Sequence, residues 1–187
     1  MRALLVAALL LVGCGEDEPP LPSMLPIHDF TLVDQTGEEF SSRELRGHVW
    51  VANMIFTSCP DICPIMSSQM GNLTRRVPHD DVRFVSISVD PAVDTPEVLT
   101  EYAERFGADT ERWIFLTGSP DDVERVITRS FRSPVGDRVE MDEGYDILHS
   151  SRFMLIDQHM TLRGLYDRDR DGLDQLQRDI ERLRETQ

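Results

Sequence analysis

The sequence predicts an α/β fold, with a mixed central sheet, helices on both faces and an N-terminal hairpin. Three observations carry that expectation. Strand-length apolar runs alternate with segments of helical periodicity along the chain. The longest run, Val49 to Phe56 (VWVANMIF), is almost continuously apolar, as a strand buried on both faces must be. The chain closes on two short strands, Arg152–Ile156 and Leu162–Tyr166, around Asp157-Gln158-His159, followed by an amphipathic helix.

The first residues stand apart from this pattern. Arg2 precedes an apolar run from Ala3 to Val12, too short to span a bilayer but suited to the core of a signal peptide. Leu11-Val12-Gly13-Cys14 then looks like a bacterial lipoprotein signal, with residues 1–13 removed and Cys14 lipidated. Residues 14–25 are acidic and rich in proline, and they are expected to form an extended, solvated tether. The single folded domain is then 26–187. No later stretch is apolar and long enough for a membrane helix, so attachment would rest on the lipid.

Within the domain, Phe30–Val33 and Glu39-Phe40 flank Asp34-Gln35-Thr36-Gly37, which is turn chemistry for a hairpin. After the Val49–Phe56 strand comes a cysteine loop, and Pro64, suited to a first helical position, opens a helix running to about Arg76. Val82–Val89 is the next strand. Thr95 with Pro96, and Ser119 with Pro120, each read as a cap followed by proline at the first helical position. Trp113–Leu116 is a short strand between those two helices. Leu173, Leu176, Ile180 and Leu183 form the apolar stripe of the last helix. One arrangement of this kind is the thioredoxin-like fold, whose reactive cysteines lie where a central strand passes into a helix.

Composition removes several functions. The net charge is −15, and all nineteen basic residues are arginine, so lysine Schiff-base chemistry is excluded. No basic stripe is available to neutralise phosphates, which argues against a nucleic-acid partner. With Cys14 assigned to lipid, an exported chain retains only Cys59 and Cys63, which suggests a redox or metal pair and not a disulfide framework. At a helix start, the dipole and free N–H groups would favour a thiolate. Two soft sulfurs suit Cu(I), and an added imidazole suits Cu(II). Two ligands alone cannot complete a tetrahedral zinc site. The same pair could close a disulfide, so metal binding and redox state would be coupled.

Thr57-Ser58-Cys59-Pro60-Asp61-Ile62-Cys63-Pro64 resembles the copper-site motif of the Sco/SenC family of cytochrome c oxidase assembly proteins. The resemblance extends through Asp29-Phe30-Thr31-Leu32, Leu45-Arg46-Gly47, Ser88-Val89-Asp90-Pro91 and Asp94-Thr95-Pro96, and ends on a histidine followed by Ser150. It implies a thioredoxin-like domain holding one copper ion through Cys59, Cys63 and His149. It also implies delivery of copper to, or reduction of the thiols of, the binuclear copper site of oxidase subunit II. The family usually has aspartate before the ligand histidine; here Leu148 stands there and the nearest acid is Asp146.

In a thioredoxin-like fold the strand that His149 precedes would start opposite the cysteine pair. Ordinary oxidoreductases of that fold place a cis-proline there, yet no proline follows Val135. The expected protein is therefore an exported, lipid-anchored copper chaperone facing the periplasm or cell exterior. The alternative is a thiol–disulfide reductase using Cys59 and Cys63 as its redox-active pair. A peroxidase is weaker, because Thr57 lies two residues before Cys59 where such sites generally place it three before. His28, His48, His79 and His159 are expected to be solvated. Met54, Met66 and Met70 are expected in the core, with Met66 a minor candidate as auxiliary thioether ligand. Asp90, Asp94 and Thr95 read as turn and cap residues, and Asp167–Asp171 as a charged turn.

Overall fold

A computed structural model describes residues 18–141 and 144–186, so Cys14 and the signal segment lie outside the described residues. In chain order the strands and helices are β1 (Leu25–Pro26), β2 (Thr31–Asp34), β3 (Glu39–Ser41), β4 (Val49–Ile55), α1 (Ile62–Arg76), β5 (Val82–Ser88), α2 (Pro96–Arg105), β6 (Trp113–Thr117), α3 (Pro120–Arg129), β7 (Arg138–Glu140), β8 (Tyr145–Ile147), β9 (Phe153–Ile156), β10 (Thr161–Tyr166) and α4 (Arg170–Glu185). A 3-10 turn, Ser42–Leu45, leads into β4.

The sheet order is β1-β10-β9-β4-β5-β6-β2-β3. Strands β4, β5 and β6 run parallel, while β9 lies antiparallel on the other side of β4. This topology places the end of β4, the end of β5 and the start of β9 at one sheet edge. Every residue of β4 is buried, as its apolar run requires. Trp50 meets Phe131, just beyond α3, on one face. Asn53, on the other face, accepts from Ser86, which in turn accepts from Trp113. Trp113 is packed by α1: a Cβ on Gly71 would stand 3.4 Å from its ring and 3.3 Å from the Phe106 carbonyl oxygen. Helices therefore cover both faces of a mixed sheet.

Local chemistry explains the element ends. Asp34 Oδ1 accepts from the Thr36 amide and hydroxyl and the Glu38 amide, and Gly37 takes a φ of 86° to close the hairpin. Thr95 and Ser119 cap α2 and α3, each with proline at the first position. The final helix starts earlier than its apolar stripe, because Asp169 accepts from the Gly172 amide. Asp167 pairs with Arg152 at 2.9 Å, so the Asp167–Asp171 stretch joins a surface ion pair to a helix cap.

One expectation is corrected here, and one pair of strands is new. The segment from Glu18 to Leu25 is docked on the domain and is not a free solvated tether. Arg163 donates to the Leu21 and Pro22 carbonyls, Arg182 donates to the Pro19 carbonyl at 2.5 Å and pairs with Glu18, and β1 pairs with β10. A two-stranded sheet, β7–β8, also lies between α3 and β9, a stretch for which the sequence pattern named no element. Its three-residue strands are too short to show alternation over a recognisable window. Among the described residues no helix is long and apolar enough to cross a membrane.

Candidate metal centre

Helix α1 begins at Ile62, two residues before the expected start, with Asp61 at its cap position making no side-chain cap bond. Cys63 is thus the second helical residue and Pro64 the third. Proline is tolerated because first-turn amides have no intrahelical acceptor. The turn leaves Cys59 and Cys63 adjacent, and the Cys63 amide donates to Cys59 Sγ at 3.5 Å. Both are free thiols, 6% and 0% exposed respectively. The expected stabilisation of a thiolate does not hold for Cys63. Burial outweighs the helix start and pushes this thiol well above its ordinary pKa, which favours the protonated form.

His149 reaches the same point from β8. Its Nδ1 lies 2.6 Å from the Ile147 carbonyl oxygen, which can only accept, so Nδ1 carries the proton. Nε2 stands 3.7 Å from Cys63 Sγ, and in the neutral ring it is the nitrogen with the lone pair. Where the family usually has aspartate, Leu148 is 67% exposed and turned away; the backbone of Ile147 orients the imidazole instead. Phe56 supports the ring edge-on, with centroids 5.6 Å apart. His149 does not directly precede β9, since residues 150–152 intervene and the ring is carried by the β7–β8 sheet.

The loop from β4 is held from below by Asp94, which is fully buried. Its carboxylate accepts from the Thr57 amide (3.2 Å), the Thr57 hydroxyl (2.6 Å) and the Ser88 hydroxyl (2.6 Å). Burial raises its pKa while these donors oppose the rise. Asp94 therefore does more than order a turn: it ties the cysteine loop to β5. Asp94→Ala should lower stability to urea by roughly 2–3 kcal/mol by stranding three donors, while Asp94→Asn should cost less because it retains an acceptor. Equal stability of Asp94→Ala and the parent would remove this tie.

The other candidates fall elsewhere. His28 and His159 are exposed. His48 and His79, expected in solvent, are half-buried; His48 Nδ1 lies 3.3 Å from the Asp81 carbonyl oxygen and His79 Nε2 lies 3.1 Å from Glu181. Met54, Met66 and Met70 are buried in the core. Asp61 is exposed. Among the described residues no three of Cys, His, Asp and Glu already converge as a ready metal site. Cys63 and His149 face one another, and Cys59 is engaged with the Cys63 amide. The donor set nonetheless fits copper: two thiols for Cu(I), and an imidazole with its lone pair free for Cu(II). Sequence reasoning missed Phe56, Tyr145 and the Asp94–Thr57 bond, whose partners are remote in the chain.

Fold and site together define a thioredoxin-like domain with two thiols and an imidazole close to one another at the carboxyl ends of its parallel strands. A family model described as SCO1/SenC matches residues 23–185, and the chain belongs to that family. It is similar to a SCO1/SenC family lipoprotein from Bacillus anthracis, with TM-score 0.76 and 34% identity, covering 85% of this chain and 95% of that one. Bradyrhizobium japonicum ScoI with copper bound gives TM-score 0.74 at 26% identity over 85% and 99% of the two chains. BsSco, described as a member of the Sco family of cytochrome c oxidase assembly proteins with a disulfide switch, gives 0.73 at 31% over 87% and 96%.

Proposed function

We propose that this protein is an extracytoplasmic copper chaperone for the binuclear copper site of cytochrome c oxidase subunit II. One copper ion is its cargo, held by Cys59, Cys63 and His149. The observation that carries this reading is His149 Nε2 standing 3.7 Å from Cys63 Sγ, with Nδ1 engaged by the Ile147 carbonyl 2.6 Å away. A reductase needs only the thiols; a positioned imidazole beside them is what a copper site adds. The copper-bound Bradyrhizobium relative supports the cargo, and the description of BsSco supports the client. Transfer would be ligand exchange, the client's thiolates replacing those of Cys59 and Cys63 as the surfaces dock.

The test is the Cu(II) complex. His149→Ala should abolish or strongly alter the thiolate-to-Cu(II) absorption while sparing most Cu(I) binding, because imidazole matters more to the oxidised ion. An unchanged Cu(II) spectrum would remove His149 from the site.

One observation favours the second reading: the two sulfurs are adjacent and both are free thiols. Acting as a reductase, the pair would transfer two electrons and two protons to a client disulfide and close its own.

Lipid on Cys14, after removal of residues 1–13, would hold the domain to the membrane face, as the Bacillus anthracis lipoprotein relative supports. Each buried methylene contributes about 0.8 kcal/mol, so several acyl chains anchor firmly. Cys14→Ser should therefore eliminate the mature lipidated form, read by metabolic labelling with a fatty acid. Labelling that persists in Cys14→Ser would refute the assignment.

A further inference from the structure

Strand β7 is exposed along its length, and among the described residues the β7–β8 sheet is separate from the main sheet. Yet this hairpin carries His149 to the cysteines. Tyr145 fastens it. The Tyr145 hydroxyl donates to Asp90, in the loop leaving β5. Its ring, 7% exposed, stacks on Phe56 with centroids 5.6 Å apart and planes 23° apart. Phe56 is the same ring that meets His149 edge-on. The Arg138 guanidinium lies 3.5 Å from the Tyr145 centroid, binding β7 to the same post. Burial keeps the phenol above its ordinary pKa, with Asp90 adding to the effect, so the hydroxyl remains a donor.

We propose that Tyr145 is a positioning residue for His149: its bond to Asp90 and its stack on Phe56 lock the β7–β8 hairpin with Nε2 toward Cys63, favouring Cu(II) over Cu(I). This rests on His149 as a copper ligand. The selectivity follows from ligand preference. Two thiolates satisfy Cu(I), so freeing the hairpin costs it little, whereas Cu(II) needs the third donor held in place. Asp90 and Tyr145 are 55 residues apart in sequence, so the lock also couples the loop after β5 to the histidine.

The full chain in detergent micelles tests this through apo and loaded readouts. Tyr145→Phe keeps the ring and removes the hydroxyl. In the apo protein, amide exchange at Gly136, which donates to the Leu148 carbonyl at 2.8 Å, should accelerate, and the nitrogen resonances of the His149 ring should broaden or shift. Cu(II) affinity should fall about tenfold, the lower end of the usual effect of an outer-shell partner, with Cu(I) affinity within about twofold. Asp90→Asn retains a carbonyl acceptor and should resemble the parent, while Asp90→Ala should reproduce Tyr145→Phe. The double variant should be no worse than either single, since both break one bond. Parent-like exchange and Cu(II) affinity in Tyr145→Phe overturn the lock, as does an equal loss of both copper states. His149→Ala separates the levels: if it weakens Cu(II) and Tyr145→Phe does not, only the lock fails; if it leaves Cu(II) unchanged, ligand and lock fail together.

Discussion

Replacing Cys59 or Cys63 by alanine is expected to take Cu(I) stoichiometry from one ion per chain to almost none. The two sulfurs are the only soft thiol donors among the described residues, and each single variant leaves one sulfur and one imidazole. Met66 does not compensate, because it is packed in the core. Metal analysis of protein purified under reducing conditions gives the answer, and undiminished copper in either variant would defeat the site. The parent protein should also show a pH signature. Burial holds the Cys63 thiol protonated at neutral pH, so copper must displace that proton on entry. Apparent affinity should rise with pH, by about tenfold per unit for each proton displaced, and weaken as pH falls. A pH-independent affinity between pH 6 and 8, within about twofold, would mean that the thiolate is already formed in the apo protein.

Complementation in cells at limiting copper should fail with His149→Ala and recover when copper is added. Deleting the gene should first lower oxidase activity chiefly at low copper, since excess metal can load the client by mass action. A chaperone requires all three donors to present the ion, whereas a reductase requires only the Cys59–Cys63 dithiol. Full rescue by His149→Ala at low copper would therefore favour the reductase. Failure relieved by added copper would favour delivery. Normal oxidase activity in the deletion strain at every copper level would refute both roles.

The cysteine pair was legible because its chemistry is local. A buried apolar strand, a short loop and a helix entered at Ile62 put Cys59 and Cys63 beside one another, four positions apart in the chain. The central strands, the capped helices α2 and α3 and the closing hairpin were legible for the same reason: caps, turns and periodicity act over a few residues. His149 was legible as a candidate ligand through family resemblance, while its surroundings were not.

Composition and short-range pattern by themselves determined the α/β class, the cysteine turn and the exclusion of lysine chemistry. Tertiary structure alone decided four things: which nitrogen of His149 is engaged by a carbonyl, that burial raises the pKa of Cys63, that residues 18–25 lie on the domain, and that Tyr145 and Asp94 brace the site from two directions. The physical reason is distance along the chain. Cys63 and His149 are 86 residues apart, and Thr57 and Asp94 are 37 apart. The helix start that should ionise Cys63 acts locally, but the desolvation that overrides it is set by all the strands and helices packed around the thiol.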